Sequence, residues 1–180
     1  MYKIISKVFL LILASIISFN IFSKDISIGH LVDFTGATSS VGKPFGQGIA
    51  DAIEWINLNG GVGNIKIKSD MVDYSYKAPR AVATYKRWKT RQKVIAVQGW
   101  GTADTEALIE TVARDKIPYF SASYAGQLTD PKGEAPKSHK AAPYNFFYGP
   151  SYSDACRGLV AWAHENWNKN NNDNVPKFVH

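Results

Sequence analysis

Two observations predict an α/β fold, with a doubly wound and mostly parallel sheet. Short apolar segments alternate with helix-length segments along most of the chain, which is the order that βαβ units produce. Two turns rich in glycine and hydroxyl side chains, residues 98–102 and 121–124, each follow a short apolar run. One helix-length stretch, residues 103–115, separates them. We therefore expect both turns at the carboxyl edge of the sheet, where α/β proteins bind small ligands.

The elements of the first half follow from their hydrophobic spacing. Alternating isoleucines predict a first strand over residues 25–32, followed by a small polar loop over 33–42. Isoleucines at helical spacing predict a first helix over 44–59, because Pro44 suits a first helical turn. Alternating or short continuous apolar runs predict further strands over 65–74, 94–97 and 117–120. Apolar residues at helical spacing predict further helices over 79–91 and 103–115.

The pattern becomes less regular after residue 120. Residues 129–143 contain several prolines and lysines and are typical of a surface connection. A short aromatic strand is expected over 144–148 and a helix over 153–167. An asparagine-rich loop over 168–174 and a strand over 176–180 complete the prediction.

The first residues indicate export. Lys3 and Lys7 precede an apolar run over 8–17 that is too short for a membrane span, and Ser23 offers a small residue for cleavage. We expect residues 1–23 to be a secretory signal peptide, which implies a periplasmic protein. The alternative is an uncleaved N-terminal anchor.

Composition excludes several other classes of function. The basic cluster at 86–93, with Trp88 inside it, is either a nucleic-acid patch or the solvated end of a helix, and we favour the helix end. Cys156 is the only cysteine, so no internal disulfide is possible, and the four histidines lack the spacing of a metal site. No phosphate loop, nucleophile elbow or dinucleotide fingerprint is present. We expect no enzyme, no cofactor, no metal and no nucleic-acid partner.

Several segments of the chain occur in a fixed order, namely residues 29–61, Asp73 and the turns at 98–102 and 121–124. Taken together, they resemble the type I periplasmic substrate-binding proteins. The resemblance is to the branched-chain amino acid and amide branch, which serves ABC importers. It implies two α/β lobes that close on a ligand. The implied domains are a first lobe over 24–145 and, over 146–180, a hinge crossing and the start of a truncated second lobe.

The resemblance also implies ligand contacts. Thr102 falls where relatives hold the ligand carboxylate, Ser123 and Ala125 fall on contacts in the next turn, and Val41 falls where relatives carry a pocket aromatic. From the residues alone, the helix N-cap role is favoured for Thr102, and serines in turns more often bond their own backbone than a ligand. The predicted site comprises Val41, Trp100, Gly101, Thr102, Ser121, Ser123, Tyr124 and Ala125.

The expected function is the solute-binding component of an ABC importer, which captures an amino acid or a similar small amide or zwitterion without catalysis. Its partners would be that ligand and the transporter permease, and it would meet the membrane only through the transporter. One alternative is a ligand-binding sensory lobe of a membrane receptor. A second is a secreted hydrolase, which needs a nucleophile beside a base, and the sequence shows no such pair.

Overall fold

The computed structural model describes residues 25–128, 130–134 and 140–171 of the 180-residue chain. The predicted signal peptide over 1–23 and the predicted strand over 176–180 lie outside the described residues. So do parts of the predicted connection over 129–143. Within the described part of the chain, no helix combines the length and the apolar character that crossing a bilayer requires.

Five parallel strands form one sheet, which confirms the predicted fold class. The strands are β1 Ile26–Val32, β2 Ile67–Asp73, β3 Ala96–Gln98, β4 Tyr119–Ser121 and β5 Asn145–Phe147. The helices are α1 Ser39–Leu58, α2 Ala78–Arg87, α3 Thr102–Asp115 and α4 Tyr152–Asn171. The order of the strands across the sheet is β2-β1-β3-β4-β5.

Parallel neighbours need long crossover connections. Helices α1, α2 and α3 lie in the first three crossovers, and a π turn over Trp88–Gln92 extends α2. The described residues between β4 and β5 hold a 3₁₀ turn, Gly126–Leu128.

The main core lies between the sheet and helices α2 and α3. Leu31, Val97 and Leu108 are buried there, together with the ring of Trp88. Gly29 makes room for this ring, because a Cβ at that position would lie 2.3 Å from Trp88 Cε3. The aromatic inside the basic cluster is therefore part of the core.

Helix α1 covers the opposite face of the sheet and begins earlier than predicted. It starts at Ser39, so the expected loop over 33–42 is partly helical, and Pro44 lies inside the helix and not in its first turn. The buried carboxylate of Asp33 explains the early start. It accepts hydrogen bonds from the N–H groups of Gly36 and Thr38, at 2.5 and 2.8 Å, and so fixes the chain just before the helix.

Two other boundaries also differ from the prediction. Strand β3 occupies Ala96–Gln98, and helix α4 continues to Asn171, through the first part of the predicted loop over 168–174. The side-chain amide of Asn166 donates to the Trp162 carbonyl at 2.9 Å, one example of an asparagine bonded within this exposed helix. The predicted lobe boundary at residue 145 falls at the start of β5, which pairs with β4 in this sheet. The division into lobes remains a prediction.

Candidate ligand-binding site

Helix α3 begins at the predicted first turn with several unpaired backbone donors. Gly101 is its N-cap and Thr102 its first helical residue, so Thr102 is not the cap. The first closing bond runs from the Thr105 N–H to the Gly101 carbonyl, at 3.2 Å. Among the described residues, no protein acceptor is recorded for the N–H groups of Thr102, Ala103 and Asp104. A helix start of this kind is suited to bind an anionic group.

A buried carboxylate fixes the turn in front of this helix. Asp104 accepts hydrogen bonds from the N–H groups of Trp100 and Gly101, at 2.9 and 2.7 Å. It also accepts from the hydroxyls of Tyr74 and Tyr119. Burial raises the pKa of Asp104, although all four hydrogen bonds favour the ionised form. Burial, followed by the Asp104 charge, raises the pKa of both tyrosine hydroxyls, so they remain protonated donors.

The two predicted turns meet, as parallel strands require. The Ala122 N–H donates to the Trp100 carbonyl at 3.1 Å, and the hydroxyls of Thr102 and Ser123 share a hydrogen bond of 2.8 Å. Ser121 is fully buried behind this pair. Its hydroxyl bonds Thr105 at 2.7 Å and accepts from the Ser123 N–H at 3.0 Å. Ser121 therefore supports the wall of the site from behind.

An open cleft of about 290 Å³ lies in front of the turns. Most of the predicted site residues line it, but the structure does not bring Ser121 or Ala125 to its wall. Ala125 packs instead against the small apolar cluster of Ile109, Leu128 and Ala142. The cleft is lined by Thr38, Val41, Tyr76, Trp100, Gly101, Thr102, Ala122, Ser123, Tyr124 and Tyr152. Sequence reasoning missed Thr38, Tyr76, Ala122 and Tyr152.

Tyr76 illustrates why the missed residues were hard to find. Ser75 and Tyr76 both adopt the left-handed conformation, at φ 53° and 56°, which non-glycine residues rarely do. This turn brings the Tyr76 ring so close to Gly101 that a Cβ there would lie 2.4 Å from ring atom Cε2. Serine and tyrosine are not among the residue types that favour the left-handed region, so the sequence does not predict this conformation.

The residues lining the cleft contain no charged side chain. Across the described part of the chain, no group of three or more histidine, cysteine or acidic residues is arranged to hold a metal ion. The chemistry that the cleft offers is therefore hydrogen bonding from backbone and hydroxyl groups, together with contact against aromatic rings. That combination is suited to binding a solute, and the lining holds no general base that would activate its hydroxyls as nucleophiles.

The family model of the periplasmic binding proteins matches residues 25–171. The chain therefore belongs to the periplasmic binding protein family, whose members bind solutes without catalysis. Among solved structures, an ABC transporter substrate-binding protein from Aeropyrum pernix is 39% identical, with a TM-score of 0.67 over 78% of this chain and 35% of that one. No curated protein matches the chain.

Two further solved structures share the fold at lower identity. A branched-chain amino acid ABC transporter protein from Thermus thermophilus with bound valine is 21% identical, with a TM-score of 0.70 over 80% of this chain and 36% of that one. A solute-binding protein from Rhodopseudomonas palustris in complex with 3,4-dihydroxybenzoic acid is 17% identical, with a TM-score of 0.63 over 79% of this chain and 36% of that one. The chain thus spans about a third of the length of each of these structures.

Proposed function

We propose that this chain is the ligand-capturing lobe of a substrate-binding protein that serves an ABC importer. Its ligand is an amino acid or a similar small carboxylate or zwitterion, and no chemistry is done on it. One observation carries the proposal. The start of α3 places Thr102, with its unpaired N–H group and its hydroxyl, beside the Ser123 hydroxyl at the wall of an open cleft.

The mechanism follows from this arrangement. A ligand carboxylate accepts charge-assisted hydrogen bonds from the helix N–H groups and from the Thr102 and Ser123 hydroxyls. The positive end of the α3 dipole adds to the attraction. A second lobe then closes over the ligand and excludes water, which strengthens each of these bonds. The buried Asp104 holds the turn in place before the ligand arrives, so little ordering is needed on binding.

The ligands seen in structural neighbours support the carboxylate part of the proposal. Valine in the Thermus thermophilus protein and 3,4-dihydroxybenzoic acid in the Rhodopseudomonas palustris protein differ in every group except the carboxylate. The neighbours are named as transporter proteins, which favours transport over the sensory-lobe alternative.

We place the protein in the periplasm, with its permease as partner. Mass spectrometry of the mature N-terminus tests the proposed removal of residues 1–23.

The binding test compares Thr102→Val with a matched control, Thr90→Val, which lies in the π turn after α2. Both changes remove a hydroxyl at nearly constant volume. In ¹H–¹⁵N NMR titrations with amino acids, we expect weak binding, because this cleft is open and leaves much of the ligand in water. Thr102→Val should weaken it about tenfold and Thr90→Val should leave it unchanged. Absence of binding by every amino acid, amide and simple carboxylate tested would refute the proposal.

A further inference from the structure

We infer that this cleft selects a ligand whose body is a flat aromatic ring attached to the captured carboxylate. This inference rests on the proposed function and narrows its class of ligand. Four rings stand in the cleft wall, those of Tyr76, Trp100, Tyr124 and Tyr152. Val41 is the largest aliphatic side chain there, and it is 60% exposed. The apolar contact that this cleft offers to a ligand is therefore mainly contact with aromatic rings.

Each ring already has a fixed neighbour. The Trp100 indole N–H donates to the Thr38 hydroxyl at 2.8 Å, and its ring lies 4.8 Å from that of Phe45. Tyr124 and Tyr152 pack edge to face, with centroids 5.7 Å apart and planes at 80°. Walls that are ordered before binding cost little entropy when a ligand arrives.

The fourth ring is held in a conformation that is itself costly. The Tyr76 ring lies against Gly101 and 6.0 Å from Tyr74, and the left-handed backbone of Ser75 and Tyr76 places it there. Hydrogen bonds hold this turn, because the Ser75 N–H donates to Asp73 at 2.9 Å and the Arg80 guanidinium donates to the Ser75 hydroxyl at 2.7 Å. Strain of this kind persists where the surrounding structure imposes it, and it is concentrated at binding sites.

The polar groups of the cleft fit the same class of ligand. No hydrogen bond to a protein partner is recorded, among the described residues, for the hydroxyls of Tyr76, Tyr124 and Tyr152. They can bond substituents on a ring that lies against the aromatic faces. A branched aliphatic body would leave these hydroxyls unused and would gain no ring–ring contact. The absence of a charged lining residue indicates that the ring itself carries no charge.

The test uses pairs of ligands that differ only in aromaticity. Benzoate is compared with cyclohexanecarboxylate, and phenylalanine with cyclohexylalanine, in NMR titrations of the 180-residue chain that follow the Trp100 indole N–H. Each pair shares its carboxylate and carbon count, so the comparison removes the effect of simple apolar area. We expect the aromatic member to bind about three- to tenfold more tightly. Leucine and glycine betaine complete the panel as the aliphatic and quaternary ammonium alternatives.

Variants locate the effect in the cleft. Tyr152→Leu changes a residue that is 61% exposed, so the variant should fold normally. We expect this variant to bring the ratio of the two dissociation constants, saturated over aromatic, close to one. Tyr148→Leu is the matched control, because Tyr148 is 52% exposed and lies outside the cleft lining. It should keep the preference. Tyr76→Leu is the second test, with circular dichroism to check its fold.

The outcomes separate this inference from the proposed function. Tighter binding of the saturated member of each pair, of leucine, or of glycine betaine would overturn the aromatic class while leaving solute capture intact. An aromatic preference that survives both cleft variants would also overturn it. Failure of every carboxylate in the panel to bind would remove the proposed function, and this inference with it.

Discussion

His30 lies in an environment that disfavours its charged form. It lies in the middle of β1, fully buried, and neither ring nitrogen has a hydrogen-bond partner among the described residues. Its neighbour Leu31 points into the main core, so the alternation along a strand directs His30 to the opposite face, which α1 covers. Burial lowers the pKa of His30 from 6.5 to about 4.

This burial makes the stability of the fold depend on pH in a defined direction. Between pH 6.5 and pH 4 the unfolded chain takes up a proton at His30 that the folded chain does not. The free energy of unfolding should therefore fall as the pH drops through this window, by at most ~3 kcal/mol from this group. Urea denaturation at pH 7.5 and pH 4.5 measures it. His30→Leu should lose this part of the pH dependence, whereas His164→Gln, at an exposed position, should retain it.

Asp104 supports a second prediction about a single side chain. Asp104→Asn replaces one carboxylate oxygen by an amide NH₂ group, which then faces donors from Trp100, Gly101, Tyr74 or Tyr119. We expect the free energy of unfolding to fall by about 2–3 kcal/mol, since a buried donor left facing another donor is unsatisfied. Asp51→Asn, on the exposed face of α1, should cost under ~0.5 kcal/mol. Equal losses for the two variants in urea titrations would contradict a structural role for Asp104.

The elements show where sequence reasoning succeeded and where it stopped. The succession of strands and helices along the chain and the parallel pairing of the strands were predictable, because the alternation of short apolar runs and helix-length stretches is local and periodic. The order of the strands across the sheet was not predicted. The meeting of the turns after β3 and β4 followed from that topology. The start of α1 was not predictable, since it depends on Asp33 reaching forward to the N–H groups of Gly36 and Thr38.

Contacts between distant segments account for what the sequence missed at the site. Asp104 meets Tyr74 from thirty positions earlier and Tyr119 from fifteen positions later, and no local pattern indicates that the three converge. Tyr76 enters the cleft only through an unusual left-handed turn, and Tyr152 enters because α4 begins beside Tyr124. Spacing places residues along strands and helices, but pairing of this kind depends on the packed structure.

The turn that begins α3 gives a prediction at the scale of the element. Gly101→Ala adds a Cβ that would lie 2.4 Å from the Tyr76 ring, so the ring must move out of the cleft wall. We expect about a tenfold loss of ligand affinity, with a loss of stability of about 1–2 kcal/mol from the displaced packing. Gly48→Ala is the control, because nothing lies within 4 Å of a Cβ there and the residue is exposed within α1. It should raise stability by up to ~1 kcal/mol and leave binding unchanged.

At the scale of the whole molecule, two of the exposed apolar surfaces in the described part of the chain lie on neighbouring strands of the sheet and on one helix. Parallel sheets are normally covered by helices on both faces, yet Phe120 of β4 and Phe146 of β5 are 41% and 46% exposed, with rings stacked 5.6 Å apart. Helix α4 exposes Leu159 and Trp162, at 62% and 63%. Exposed apolar groups collected on one face in this way favour association with other chains.

We therefore expect the 180-residue chain to self-associate at micromolar concentration, with a sedimentation coefficient that rises with protein concentration. Phe146→Ser and Trp162→Gln should each shift this association to higher concentration, because each removes an exposed ring from one of the two open surfaces. Trp55→Gln is the matched control, since Trp55 is 66% exposed but lies on α1 and belongs to neither surface. Sedimentation velocity over a hundredfold concentration range measures all four proteins. A chain that stays monomeric throughout, or a Trp55→Gln variant that dissociates as readily as the other two, would show that these rings do not drive association.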